Sequence, residues 1–233
     1  MATLNEIAYD LLSIVRPQLS DDSDIDLRQI KFWINNQRSL WIRNELNRKR
    51  SIDSDIVQTI CIDLEEVNAS DCCGIELDCS TLLRSTKPLP ETIELHNKQA
   101  IVRVAPVDKT VKGFSFVDYL RVPFVGNGRF NKENIFAFLH DKYLYLYSKH
   151  NPRYKFLTNA SVQAVFEDPT EAANFRDCST GDVCYTDDSP YPIKSWMIPA
   201  LKEAILKSNL LIEAQAEIQA SDETNNANSD TKN

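Results

Sequence analysis

The stretch that decides the fold is Ile135-Phe136-Ala137-Phe138-Leu139, then His140-Asp141-Lys142, then Tyr143-Leu144-Tyr145-Leu146-Tyr147. Two apolar runs on either side of a short polar segment predict an antiparallel hairpin with a three-residue loop. Alternation in the second run puts Tyr143, Tyr145 and Tyr147 on one face and Leu144 and Leu146 on the other. Working outward, segments 57–64, 92–95, 100–104, 115–123, 134–139, 143–147 and 162–166 are rich in β-branched and aromatic residues and read as strands. Turn chemistry separates them at Lys87-Pro88-Leu89-Pro90, Val111-Lys112-Gly113, Gly126-Asn127-Gly128 and Asn151-Pro152. The middle of the chain is expected to be an antiparallel β domain over residues 56–170.

The two ends have the helical period instead. Thr3-Leu4-Asn5-Glu6 has the form of a capping box, and Leu4, Ile7, Ala8, Leu11, Leu12 and Val15 follow at helical spacing before Pro17. A second helix starts at the N-cap candidate Asp26, carries an apolar stripe through Leu27, Ile30, Ile34 and Trp41, and runs to about Leu46. Its opposite side is read as a solvated basic face bearing Arg28, Lys31, Arg38, Arg43, Arg48, Lys49 and Arg50. Pro199 is placed as the first residue of a last helix, 200–219, striped by Leu201, Ala204, Ile205, Ser208, Leu211 and Ile212. The expected class is α+β, with helices from both ends forming a helical part. Its expected divisions are a helical region 1–55, the β domain 56–170, a connecting loop 171–191, a helix 192–220 and a polar tail 221–233 ordered by a partner.

Composition narrows the chemistry. The 233 residues carry 26 Lys+Arg against 34 Asp+Glu, for a formal net charge of −8, with 5 glycines and 3 histidines. Glycine-cradled phosphate sites and His-built metal sites have few residues to draw on. The apolar run 135–139 is five residues long, where a membrane span needs about 20. Residues 1–16 lack a basic start and apolar centre, so retention where the chain is made is expected. The six cysteines are expected to be reduced thiols, and none are spaced for zinc. Formal charge alternates along the chain: −5 over 1–27, +6 over 28–50, −8 over 51–95, +6 over 96–154, −5 over 155–191 and −2 over 192–233. Such blocks predict distinct surface patches, through which like subunits can pair.

Three constellations have residue types that could carry chemistry. Asp71, Glu76 and Asp78 are a conceivable divalent-metal set, but Lys87, His96 and Lys98 stand at no nuclease spacing, and an acidic surface is the simpler reading. His140 and His150 have no nucleophile at motif spacing and read as turn imidazoles. The face of Tyr143, Tyr145 and Tyr147, with Lys142, Lys149 and Arg153 at its rim, suggests a single-strand nucleic-acid platform. Against it stand the usual role of aromatics in half-buried strands and the net negative charge.

The opening Thr3-Leu4-Asn5-Glu6-Ile7-Ala8-Tyr9, the helix with Gln29-Ile30-Lys31-Phe32-Trp33-Ile34 and the segment Ala164-Val165-Phe166-Glu167-Asp168-Pro169 resemble structural proteins of crAss-like bacteriophages. Met197-Ile198-Pro199-Ala200-Leu201 and the tail Asp222-Glu223-Thr224-Asn225-Asn226 extend the match to the other end. The resemblance is to ring proteins stacked beneath the portal at the tail vertex. It implies a non-enzymatic subunit without cofactor or metal, placed in the virion after assembly in the host cytoplasm. Its implied partners are the portal, other tail ring proteins and further copies of itself, twelve in the ring. Genomic DNA would pass through without sequence-specific binding. On this footing Trp196, Met197, Leu201, Ile205, Asp222 and Asn225 are expected to meet the portal. Arg38, Arg43, Arg48, Lys49 and Arg50 are expected to meet the neighbouring copy.

Overall fold

Thr3 starts the first helix as its sequence dictates. The Glu6 amide donates to Thr3 Oγ1 at 3.1 Å while the Thr3 amide donates to Glu6 Oε2 at 2.9 Å, satisfying two donors that a helix start leaves without partners. The resulting α1 (Leu4–Val15) buries Leu4, Ile7, Ala8, Leu11, Leu12 and Val15 along one stripe. The computed structural model describes residues 2–16, 25–49, 51–68, 81–96, 98–108 and 110–210. They belong to two compact units, Met1–Ile42 with Asp187–Asn233, and Arg43–Thr186.

In the helical unit, α2 (Leu27–Lys49) opens with the Gln29 amide donating to Asp26 Oδ1 at 2.7 Å. Ile30, Ile34, Arg38 and Ile42 are buried at four-residue spacing, the row that falls on one helix face. Arg38 therefore corrects the expectation of a solvated basic side: it is fully buried. Its Nε donates to the Pro192 carbonyl at 2.8 Å, and its guanidinium lies 5.7 Å from the centroid of the Tyr191 ring. The Tyr191 hydroxyl in turn donates to Asn35 Oδ1 at 2.7 Å. A buried cation persists where its charge has carbonyl and aromatic partners. Residues 187–193 act as a strap across both helices, through Asn5 N–H to Asp187 O at 3.3 Å, Tyr191 N–H to Ala2 O at 3.0 Å and Lys31 to Asp187 at 2.6 Å.

The last helix, α3 (Met197–Ile205), begins two residues before Pro199. A proline inside the first turn is tolerated because those amides have no intrahelical acceptor. Met197, Leu201 and Ile205 are buried on one side, and a π-helical turn, Leu206–Leu210, follows. The portion of the expected helix beyond residue 210 lies outside the described residues.

Among its described residues the second unit has nine strands: β1 (Gln58–Asn68), β2 (Thr81–Ser85), β3 (Glu94–Leu95), β4 (Lys98–Gln99), β5 (Ile101–Pro106), β6 (Ser115–Phe116), β7 (Phe136–His140), β8 (Tyr143–Tyr147) and β9 (Asn159–Ala164). Seven form one sheet in the order β5-β9-β1-β2-β8-β7-β6, and β3 and β4 make a separate hairpin. All pairings are antiparallel except β6 with β7, which is parallel. The first half of β1 pairs with β9 and the second with β2, so this strand is the corner where the sheet bends. Its two edge strands then meet, because the Phe114 amide donates to Val104 O at 2.7 Å.

Within this unit several expectations need correction. The hairpin loop has two residues rather than three: His140 pairs with Tyr143, and Asp141 and Lys142 take φ of 49° and 67°, the positive values that a type I′ turn needs to match strand twist. Residues 119–123 of the expected strand 115–123 belong instead to a 3-10 turn, Tyr119–Phe124, with Asp118 accepting from the Leu120 amide. The strand expected at 162–166 lies instead at Asn159–Ala164, and β2 was not anticipated. Cys61 and Cys178 are joined in a disulfide with Cα atoms 4.9 Å apart, where reduced thiols were expected. The Cys61 amide donates to Arg176 O at 2.9 Å, which lays residues 176–178 beside β1 and brings the sulfurs together.

The tyrosine face is not a platform. Tyr145 and Tyr147 are buried with Leu82, Val122 and Phe138, and Tyr143 packs at the margin with Val67, Val117, Tyr119 and Val125. Leu144 and Leu146 are buried on the opposite face. Both sides of β8 are core, so no base can stack on those rings.

Candidate assembly surfaces

The residues expected to dock on the portal separate into two groups. Trp196 is 61% exposed, with the Lys194 ammonium 6.0 Å from its ring centroid. Met197, Leu201 and Ile205 are in the core of their own unit, which corrects the expectation that they form a docking stripe. The helical period that marked them as a partner-binding face equally marks a face that covers the chain itself. Lys202 on the solvent side of the same helix pairs with Asp10 of α1. Asp222 and Asn225 lie outside the described residues.

Of the basic set, Arg43 and Arg48 are exposed at the end of α2, and Arg38 is buried as described. Lys49 closes the helix, while its side chain and Arg50 lie outside the described residues. Lys31 is engaged with Asp187 and is not a free cation of that face.

Among the described residues, no group of three or more His, Cys, Asp or Glu side chains comes together to hold a metal ion; Asp71, Glu76 and Asp78 lie outside them. His140 corrects the expectation of a turn imidazole: it is the last residue of β7, partly buried, and it stacks on Tyr119 with centroids 4.6 Å apart. Cys184 is a free thiol whose pKa burial pushes up, the opposite of what a nucleophile needs. Burial, with the neighbouring Asp168 and Glu91 carboxylates, also raises Glu171. No described helix is long and apolar enough to cross a membrane.

What the sequence reading missed is a surface. Leu120, Phe124 and Phe130 project from the loop between β6 and β7 and are 70%, 79% and 94% exposed. The signal was present in Gly126-Asn127-Gly128, a turn flanked by phenylalanines, but reading 115–123 as one strand hid it. A second feature is a cleft of about 830 Å3 walled by Cys61, Asp63, Val107, Phe156, Phe175 and Cys178 among others. The disulfide sits in this wall. Exposed aromatic groups are a geometry for recognising protein, whereas the cleft wall mixes its apolar residues with Thr86, Lys87, Asn159, Arg176 and Asp177.

Residues 6–231 match the family model described as phage tail ring protein 2. "Ring protein 2" of Bacteroides phage crAss001 is 31% identical over 233 residues, covering 98% of this chain and 97% of that protein. With a match running through both the helical and the β unit, the chain belongs to the phage tail ring protein 2 family and is a virion structural protein.

Proposed function

We propose that the protein is a ring subunit of the phage head-to-tail connector, lying below the portal and lining part of the channel through which the genome is packaged and ejected. The observation that carries this reading is likeness, over nearly the whole chain, to a protein whose name is ring protein 2. The subunit is non-catalytic and works by shape and self-association. Twelve copies follow the symmetry of the portal, with other ring proteins stacked alongside.

The physical chemistry supports such a role. A conduit must not grip its cargo, and a chain of formal charge −8 repels phosphate and leaves it hydrated. Arg43, Arg48, Lys49 and Arg50 present a basic helix end to the acidic blocks of the neighbouring copy. Trp196, with Asp222 and Asn225 of the polar tail, meets the portal. Imaging of the tail vertex in intact virions tests the assignment: twelvefold density for this chain directly beneath the portal is expected, and density elsewhere or of another symmetry overturns it. Truncation after Ala220 tests the tail separately, since particles that incorporate the shortened chain and retain DNA normally would remove Asp222 and Asn225 from the contact.

A further inference from the structure

Residues 175–184 make a hairpin beside the start of β1, and its base and tip are held in different ways. The Cys184 amide donates to Phe175 O at 3.1 Å and the Asp177 amide to Asp182 O at 2.8 Å, with Arg176 bridged to Val183 between them. At the base, Phe175 and Tyr185 are buried, and the Cys61 amide donates to Arg176 O at 2.9 Å. The tip is built otherwise. Ser179, Thr180 and Gly181 are exposed, and the turn closes on itself: Asp177 Oδ1 accepts from the Ser179 and Thr180 amides at 2.7 and 3.1 Å, and the Gly181 amide donates to Asp177 O at 2.9 Å. Gly181 takes φ 75°, a conformation that other residues adopt with strain. Cys178 fastens this tip to the sheet, through its bond to Cys61 and through its sulfur 3.8 Å from Ala160 O.

We propose that Cys61 and Cys178 are a redox latch on the tip, open as two thiols inside the host cell and closed as the disulfide in the released particle. The inference rests on the family assignment and needs neither the portal nor a copy number. A phage structural protein is translated in a cytoplasm that keeps thiols reduced, where disulfides rarely persist unless they are transient or redox-sensing, and it does its work in a particle that has left that compartment. The fold presents the pair without help from the bond. Although 117 residues separate the two cysteines, the buried base and the hydrogen bond from Cys61 to Arg176 lay position 178 beside β1.

Closure takes one co-reactant, a small-molecule disulfide outside the cell. One cysteine thiolate attacks it and expels a small thiol; the second cysteine displaces the other half, the Cys61–Cys178 bond forms, and two small thiols leave with both protons and both electrons. Small thiols of the cytoplasm run the same exchange backwards. Cys184 stays out of it, because burial keeps its thiol protonated. Arg176, Asp177, Cys178 and Gly181 all line the 830 Å3 cleft, so the latch decides whether that wall is fixed or free to swing.

The test treats cells in which the phage is replicating, and separately purified virions, with N-ethylmaleimide before denaturation, and reads the cysteine peptides by mass spectrometry. Cys61 and Cys178 are expected to be alkylated in the chain from cells and joined in the chain from virions. A joined pair in cells, alkylated thiols in virions, or a bond from either to Cys184 overturns the latch alone, whereas virions that lack the chain overturn the family reading with it. In the isolated full-length protein, backbone order parameters of Ser179, Thr180 and Gly181 are expected to fall from about 0.85 to below about 0.6 on reduction with dithiothreitol, while those of Phe175 and Tyr185 hold. Cys178→Ser without reductant is expected to give the reduced values. A tip that stays rigid in either case is held by other contacts, and the latch is overturned.

Discussion

The strand Tyr143–Tyr147 and the loop 118–134 are both aromatic and basic at their margins, yet they end in opposite places. Tyr145 and Tyr147 are almost fully buried, while Phe124 and Phe130 are almost fully exposed. The difference lies in what their backbones can bond to. The strand has ladder partners on either side, Arg84 opposite Tyr145 and Phe138 opposite Tyr145 again, so its side chains are carried into packed layers on both faces. The loop satisfies its backbone largely through short turns of its own, and while Tyr119, Val122 and Val125 root it against the core, Leu120, Phe124 and Phe130 are left in solvent. Aromatic content is therefore silent about function until the hydrogen-bond partners of the backbone are known.

That contrast breaks most visibly at its centre. Phe138→Ala should cost about 3–5 kcal/mol in urea denaturation, as for other buried aromatics, whereas Phe130→Ala should stay within about 0.5 kcal/mol. Equal losses would mean that the loop is core. The same pairing of inside and outside applies at α3, where Leu201→Ala should cost about 2–5 kcal/mol and Trp196→Ala little. If Leu201→Ala instead kept its stability and lost only its place in the particle, the helix would be a docking element after all.

Smaller effects sharpen the picture of what holds each unit. The Cys61–Cys178 disulfide spans a sequence separation of 117, and Cys61→Ser should lower the stability of oxidised protein by about 2–5 kcal/mol; identical melting with and without reductant would show that the cross-link contributes nothing. Thr3→Ala removes one half of the capping box and should cost about 1 kcal/mol, and a fully stable variant would assign the start of α1 to the strap alone. Glu171 gives the smallest change. Burial, helped by Asp168 and Glu91, raises its folded pKa above the unfolded value, so its contribution favours the fold while the carboxyl is protonated and is lost as pH rises through the folded pKa. Glu171→Gln should therefore stabilise at neutral pH by no more than about 0.5 kcal/mol, and a destabilised variant would reverse the sign of that argument.

The amino-acid sequence by itself determined the local pieces: the capping box at Thr3, the start of α2 at Asp26, the hairpin around Asp141, and the α+β class with helices at the ends. These depend on near neighbours along the chain, where spacing and turn chemistry act directly. Only the tertiary structure decided that Arg38 is buried beneath Pro192, that Leu201 belongs to the core, and that both faces of the tyrosine strand are covered. It also decided that Cys61 meets Cys178 and that Phe124 and Phe130 stand clear. Each of those outcomes depends on which distant segment lies against which. An apolar stripe records that a face will be buried, but the identity of what buries it is a long-range property that periodicity does not encode.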